Sequence, residues 1–384
     1  FFCLVWCGCV FQCLLGRLCQ MFIRDRLPAK LLFDNLKDIR RVGYTFPMPS
    51  IRSYFRKRPV RYISSLLGHE GAGSLHALLN EKGWIEGLSA GESQMDEGNS
   101  VMTVNISLTE TGADHVDEIS AYLFAYLDLL KSGDIEAWIY QEQATIAQLA
   151  FRFSEKTSAM NVVRSIAPAL QYYPAEDLLV APYLMEEFDA SLIRSFLTLL
   201  TKDNVLMTLS SPGYEGQSTE SWFGVSYDLK LGEISVAAVD SSALKLPEAN
   251  PFLPESLDLT QADTFGPKPV LADNGLELYM DTDLEFNVPR AVIHVSLRND
   301  GGFTALTDAA QSQLYSMLVQ DDLNALGYPA LLAGVSYQVA APPRGFRVSV
   351  EGYNDKQLVL LEEVLSRLMS LDIKEDRFDV MKGE

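Results

Sequence analysis

The chain has 384 residues, enough for two or three domains that each bury their own core. Its 51 acidic and 31 basic residues leave a formal charge of −20, which argues against nucleic acid and against an anionic membrane surface as partners. That balance suits an acidic wall that attracts basic peptides, or simply a soluble acidic protein.

All five cysteines (Cys3, Cys7, Cys9, Cys13, Cys19) fall in the first nineteen residues, so the body of the chain has no disulfide framework. The opening stretch FFCLVWCGCVFQCLLGRLCQMF is apolar but broken by Gly8, Gln12, Gly16 and Arg17. Its uninterrupted part is short for a membrane-spanning helix, and it has neither a basic start nor a clean A-x-A cleavage site. Residues 1–26 are read as an atypical Cys-rich leader, a truncated or artefactual junction. A signal or anchor segment and a Cys-rich metal tract are the alternatives. Nothing else approaches membrane length, so no membrane partner is expected for the body.

Asp38 to Thr45 alternates into a strand ending at Phe46-Pro47-Met48-Pro49. Arg56, Lys57, Arg58 and Arg61 form a basic cluster read as a solvated helix start rather than a binding patch. Tyr62, Ile63, Leu66 and Leu67 continue that helix to His69-Glu70 and the loop Gly71-Ala72-Gly73. Ser74 stands where an N-cap would, opening a short helix through Leu75, Leu78 and Leu79 that Lys82-Gly83 closes. Trp84 to Gly91 reads as a strand whose small residues Gly87, Ala90 and Gly91 let another backbone come close, a docking edge. Glu92 to Gly98 is a polar hairpin loop. Beyond it Met102, Val104, Ile106 and Leu108 alternate with Thr103, Asn105 and Ser107, the pattern of a sheet with one buried face.

Thr111-x-x-Asp114 can cap the next helix, striped by Val116, Ile119, Leu123, Leu127 and Leu130, and Asp134 can cap another, striped by Ile139, Ile146, Leu149 and Phe153. Shorter helices near Val162–Leu170 and Leu192–Leu200 lead to a strand at Val205–Leu209. Antiparallel-type strands beside long amphipathic helices define an α+β layer with helices on one face. From Ala237 to Pro269 the composition shifts to Ala, Ser, Asp and Pro, the mark of a linker. A second unit follows: a hairpin at Asn274-Gly275, a strand through Ile293, Val295 and Leu297, and a helix near Leu306–Leu326. It continues with a strand through Phe346, Val348 and Val350 and a helix striped by Leu358, Leu361, Leu365 and Leu368.

The block Gly68 to Leu75 (GHEGAGSL), followed by Lys82-Gly83-Trp84 and a small-residue strand, resembles the second domain of the pitrilysin/insulysin (insulinase) family of zinc metalloendopeptidases. Phe46-Pro47-Met48-Pro49, Phe151-Arg152-Phe153, Tyr172-Tyr173-Pro174 and Glu220-x-Trp222-Phe223-Gly224-x-x-Tyr227 are similar to family phrases. So are Leu246-Pro247-x-x-Asn250-x-Phe252-Leu253-Pro254 and Gly352 to Gln357. The resemblance begins near Leu27 and runs to the end. It implies tandem repeats of a metallopeptidase-type α+β domain, each a mainly antiparallel sheet with helices on one face. Residues 27–244 would be a non-catalytic, substrate-holding second domain, 245–267 a Pro-rich linker, and 268–384 a third (middle) domain truncated at its C-terminus.

The family's chemistry rests on H-x-x-E-H, two imidazoles at four-residue spacing on a helix holding zinc, with the Glu taking a proton from bound water. The four histidines here, His69, His76, His115 and His294, do not form it. In His115-Val116-Asp117-Glu118 the second histidine is replaced by Ile119, part of the buried stripe, and His294 lies on a strand. No nucleophile elbow is present, and Gly301-Gly302 lacks the phosphate-loop pattern. The resemblance implies that zinc belongs to the intact family protein, with its ligands absent from this chain. The implied function is that of a fragment of a zinc endopeptidase that encloses and degrades peptides, this part giving an exosite and chamber wall. The alternative is a non-catalytic scaffold or processing-complex subunit. The implied partners are peptide substrates, a catalytic first domain and C-terminal domains, in a periplasmic or cytoplasmic setting.

Carried over position by position, the exosite would comprise Ser65, Gly68, Glu70, Leu88, Ser89 and Ala90, with Tyr328 as a neighbour. Arg61 and Ser65 stand where histidines occur in some relatives. The plainer alternative is that Gly71 and Gly73 only make a tight turn and that Glu70 is solvated. Because no two histidines have ligand spacing, the purified chain is expected to bind no stoichiometric zinc and to cleave no peptide. Tight one-to-one zinc, lost on mutating His115 or His69, would overturn this.

Overall fold

The computed structural model describes residues 26–35, 37–259, 266–282, 288–299, 305–373, 377–378 and 381–382. The cysteines of the opening stretch and Gly301-Gly302 lie outside them. The chain divides into two compact units, the first ending at Ala249 and the second starting at Asn250. Among the described residues no helix is long and apolar enough to cross a membrane.

The first unit is built on a seven-stranded sheet. Its strands are β1 (Ala29–Asp34), β2 (Arg41–Pro49), β3 (Ile85–Gln94), β4 (Asn99–Leu108), β5 (Leu206–Ser211), β6 (Ser218–Thr219) and β7 (Ser226–Leu231), in the order β3-β4-β2-β5-β1-β7-β6. Only the β1–β5 pair is parallel. The alternation expected of β4 is present: Met102, Val104, Ile106 and Leu108 are buried, and Thr103, Asn105 and Ser107 are partly exposed. Central β2 is buried on both faces from Val42 to Phe46. Val42, Tyr44 and Phe46 enter the main core, while on the other face Gly43 makes room for its neighbours. A Cβ there would lie 2.6 Å from Thr208 Oγ1 and 3.1 Å from Asn105 Oδ1.

The helices α1 (Pro59–Leu67), α2 (Leu75–Glu81), α3 (Val116–Ser132), α4 (Ala137–Arg152) and α6 (Ala190–Leu197), with α5 (Ala159–Ala169) between the last two, lie where helices are predicted. The α3 stripe is buried as expected, whereas in α4 Ile139 and Leu149 are buried but Ile146 and Phe153 only partly so. All but α5 contribute residues to one core with β2, β3 and β4, through Ile63, Leu67, Leu79, Ile119, Leu123, Ile139 and Ile193 among others. Helix α5 buries none of its residues. Two expected caps are displaced. Thr109, not Thr111, accepts a bond from Gly112 N–H at 2.9 Å, closing a single turn (Glu110–Ala113) before α3 begins after His115. Asp134 does not cap α4. That helix starts after Glu136, whose N–H is held by the Tyr62 hydroxyl at 3.0 Å, so a tertiary contact fixes the start.

The second unit contains a hairpin of β8 (Lys268–Asp273) and β9 (Leu276–Met280), and a sheet ordered β10-β12-β11. Asn274 (φ 51°) and Gly275 (φ 82°) make the left-handed turn that their sequence predicts. The sheet strands are β10 (Arg290–Arg298), β11 (Val335–Ala340) and β12 (Gly345–Tyr353), packed by α7 (Leu306–Asp322), α8 (Asn324–Leu332) and α9 (Gln357–Met369). The buried stripe of α9 is Gln357, Leu360, Val364 and Leu368, whereas Leu358 is exposed. Both this set and the predicted Leu358, Leu361, Leu365, Leu368 have helical spacing, and docking on β12 selects the phase.

At Gly112 a Cβ would lie 1.8 Å from the Trp84 carbonyl oxygen, which itself accepts from Thr109 N–H at 3.1 Å and cannot move cheaply. Gly87, on the adjoining strand, has nothing within 4 Å of a Cβ. Gly112→Ala is therefore expected to lower stability in urea by about 2–3 kcal/mol, the upper range for overpacking, with Gly87→Ala far milder.

Candidate functional site

Helix α1 starts at Pro59 in the first helical position and ends at Gly68, whose N–H donates to Ser64 O at 2.9 Å. Its seat is fixed from beneath by Tyr126, whose hydroxyl donates to Leu66 O at 3.3 Å. The end of α1 packs against β3, and a Cβ on Gly68 would lie 3.6 Å from Ala90 N and 3.8 Å from Ala90 Cβ. Among the described residues strand β3 pairs only with β4 and is one edge of the sheet. It also runs further than its sequence suggests, to Gln94, leaving only a short turn where a polar loop from Glu92 is predicted.

Five of the predicted site residues thus fall on two touching elements. Leu88 is buried with its side chain in the main core, so only its main chain is on offer at the edge. Ser89 is exposed, and Ala90 is half-buried beside Gly68. Ser65 is held from within: its hydroxyl donates to Tyr62 O at 2.9 Å and accepts from Gln143 Nε2. The sixth, Glu70, is exposed just beyond Gly68 and forms no ion pair among the described residues. Tyr328 belongs to the second unit, half-buried on α8, and is described there alone.

The loop between α1 and α2 is tied at both ends. His69 Nδ1 accepts from Gly71 N–H at 3.0 Å. Gly73 (φ 79°) uses its carbonyl to accept from Lys245 N–H at 2.8 Å, and Ser74 Oγ caps α2 by accepting from Ala77 N–H at 3.0 Å, as its position predicts. The tight turn and the presented carboxylate are therefore both features of one loop.

Sequence reasoning passed over Gln143 on α4. Its Oε1 is buried without a partner while its Nε2 bonds Ser65, a donor-hungry group that periodicity could not reveal. The basic cluster is also corrected. None of its members is a freely solvated side chain: Arg56 pairs with Asp177 and with Glu186 at 2.6 Å, and Lys57 with Asp189 at 3.0 Å. The partners arrive from a segment more than a hundred residues away in the chain.

The other histidines have structural settings. His115 stacks on Trp84 with ring centroids 4.3 Å apart and lies 3.2 Å from Glu118 Oε1, while Ile119 is fully buried. His294 is exposed on β10, 2.9 Å from Ser349 Oγ. Among the described residues no three His, Cys, Asp or Glu side chains gather as a metal would require, so they do not fit a zinc ion and no step through one is derived.

The first unit is an antiparallel-dominated α+β layer with helices on one face and a glycine loop joining a helix end to a strand at the sheet edge. Two family models match the sequence: "Peptidase M16 inactive domain" over residues 24–146 and "Middle or third domain of peptidase M16" over 151–384. The chain belongs to the M16 peptidases, the insulinase/pitrilysin family. It is 33% identical over 357 residues to the insulin-degrading enzyme of Homo sapiens, covering 90% of this chain and 35% of that enzyme. It is 30% identical over 360 residues to the A-factor-processing enzyme of Saccharomyces cerevisiae, covering 91% and 35%. The crystal structure of pitrilysin shares the fold, with a TM-score of 0.83 at 23% identity over 92% of this chain and 39% of that one. The chain thus spans little more than a third of the length of these relatives. The middle-domain model starts at 151, yet β5 and β7 from that part complete the sheet of the first unit.

Burial lowers the pKa of His69 below the ordinary histidine value. A depressed folded value means that its contribution is intact above the unfolded pKa, about 6.5, and is lost as pH falls through the folded value. Protonation at Nδ1 also removes the acceptor for Gly71 N–H. NMR titration should place His69 below 6.5, with Gly71 amide protection falling over the same pH range.

Proposed function

We propose that this chain provides the substrate-holding part of an M16 zinc endopeptidase, with the edge of β3 as an exosite and the sheet as part of a chamber wall. The carrying observation is a sheet edge beside a glycine-ended helix: among the described residues β3 has one strand neighbour, and a Cβ on Gly68 would meet Ala90 at 3.6–3.8 Å. A peptide can add to such an edge as an extra strand, its main chain supplying register without reading sequence. Glycine and alanine along β3 keep the approach open, while Leu88, rooted in the core, holds the strand still.

Glu70 is the anchoring group in this reading. It is an exposed carboxylate on a loop pinned by His69, Gly73 and Ser74, where it can receive a peptide α-ammonium in a charge-assisted bond. The family's proteolysis would then be performed at a zinc centre elsewhere in the intact enzyme, on peptides that this surface retains.

Glu70→Gln, or acetylation of the peptide N-terminus, is expected to weaken peptide binding to the chain by roughly 1.5–3 kcal/mol, the range for hydrogen bonds to charged groups. Calorimetry checks this. Affinity indifferent to both changes removes Glu70 from the site.

A further inference from the structure

The first unit holds a cavity of about 540 Å³ between the start of α1, the end of the β3–β4 hairpin and the turn Gln171–Tyr173. Three arginines belong to its lining, Arg52, Arg58 and Arg61. In a chain with 51 acidic and 31 basic residues, a cation readily finds a carboxylate, and Arg56 and Lys57 in the same segment do so. The three at the cavity form no ion pair among the described residues. Arg52 lies over the Tyr172 ring, 3.9 Å from its centroid. Arg58 donates to the Ala181 carbonyl at 2.6 Å but keeps its Nε–H buried without an acceptor. Arg61 has only a 3.4 Å bond to the Pro182 carbonyl.

Burial and the like charge of Arg58 push the Arg61 pKa down, against the opposing charge of Glu92. Arg58 is also fixed in place, with φ 45° at the helix N-cap ahead of Pro59, a conformation that costs on the order of 1–3 kcal/mol in a non-glycine residue. Three carboxylates share the space. Glu92 accepts from Ser64 Oγ at 3.1 Å, and Asp96 accepts from Gly98 N–H at 2.8 Å and Asn99 N–H at 2.9 Å. Glu97 is exposed at the hairpin tip. Arg58 Nε–H has no acceptor among the described residues, and the charge of Glu92 is the one that acts on Arg61 from within the cavity wall.

The cavity adjoins the docking edge. Glu92 and Gln94 of β3 are part of its wall, and Gln94 is four residues past Ala90, about 13 Å along an extended strand. A peptide strand anchored beside Gly68 and running with β3 reaches it within a few residues.

We propose that this cavity is a carboxylate subsite of the peptide-docking surface, where Arg58 and Arg61 bind a carboxylate of a peptide laid along β3. The proposal rests on the reading of β3 given above. The guanidinium fork matches the planar carboxylate. Tyr172, stacked under Arg52, forms a wall against which the stem of a Glu side chain can pack. The carboxylate can be that of an acidic side chain or of the peptide C-terminus.

The test uses the full chain and short strand-forming peptides with a free N-terminus. One series carries a single Glu moved stepwise along the peptide, each compared with its Gln counterpart, and another compares free with amidated C-termini. At one position, or at the terminus, the carboxylate form should bind roughly tenfold more tightly. Arg61→Gln should abolish that preference while leaving the affinity of the neutral peptide and its sensitivity to N-terminal acetylation intact. Arg61→Lys, which keeps the charge without the fork, should retain part of it. Arg61 makes one long hydrogen bond, so these variants are expected to fold, which their thermal melts check. Equal binding of all carboxylate and neutral forms, with acetylation still weakening binding, overturns the subsite and leaves the β3 reading standing. A preference that survives Arg61→Gln also overturns it. Failure of every peptide to bind overturns both readings.

Discussion

Strand β2 is hydrogen-bonded to β4 on one side and to β5 on the other, and from Val42 to Phe46 it is buried on both faces. Val42, Tyr44 and Phe46 anchor the helices, and Phe124 of α3 meets both aromatic rings edge-on at about 6 Å. The Tyr44 hydroxyl, deep in that core, is 2.7 Å from Ser120 Oγ, which in turn donates to Val116 O, so no polar group is stranded. With β2 in the middle, β4 is covered on its other flank by β3, and β3 is left as the edge. The position of the candidate site thus follows from the strand that is buried most completely.

Charge in the first unit is arranged in two tiers. Arg56 and Lys57 are matched by carboxylates of the segment from Asp177 to Asp189, and those partly exposed pairs pin that segment to the entry of α1. Single pairs of this kind contribute little each, about 0–1 kcal/mol, but several along one seam set its register. Asp189 serves twice, since it also caps α6 through Leu192 N–H, and Ser191, that backbone bond and Lys57 together hold its pKa down to about 2. Arg52, Arg58 and Arg61 form no ion pair among the described residues and instead meet a tyrosine ring and main-chain carbonyls.

Much of the local structure was legible. Ser74 caps its helix, Asn274-Gly275 turns its hairpin, and β4 alternates as written, because each depends on neighbours within a few residues. Strand β1 escaped notice since Ala29–Asp34 has weak alternation and its parallel partner β5 lies far along the chain. At Gln357–Met369 the sequence predicts the helix but not its buried stripe, because Leu358, Leu361 and Leu365 lie one position beyond Gln357, Leu360 and Val364 and both sets have helical spacing. Thr109 was passed over as a cap because it closes a turn that exists only where Gly112 slides under the Trp84 carbonyl.

By itself the sequence determined the family, through the run from Gly68 to Leu75 and the phrases that follow it, and with the family the α+β class. It also placed Ser65, Gly68, Glu70, Leu88, Ser89 and Ala90 within two short stretches, since a helix end, a tight loop and a strand are local objects. Only the tertiary structure decided that this strand is an edge, that Gly68 touches Ala90, and that Arg58 and Arg61 meet Glu92 and Tyr172 around one cavity. Strand order and side-chain convergence are set by contacts between residues tens to more than a hundred positions apart, and no periodicity in a single chain encodes which of them will meet.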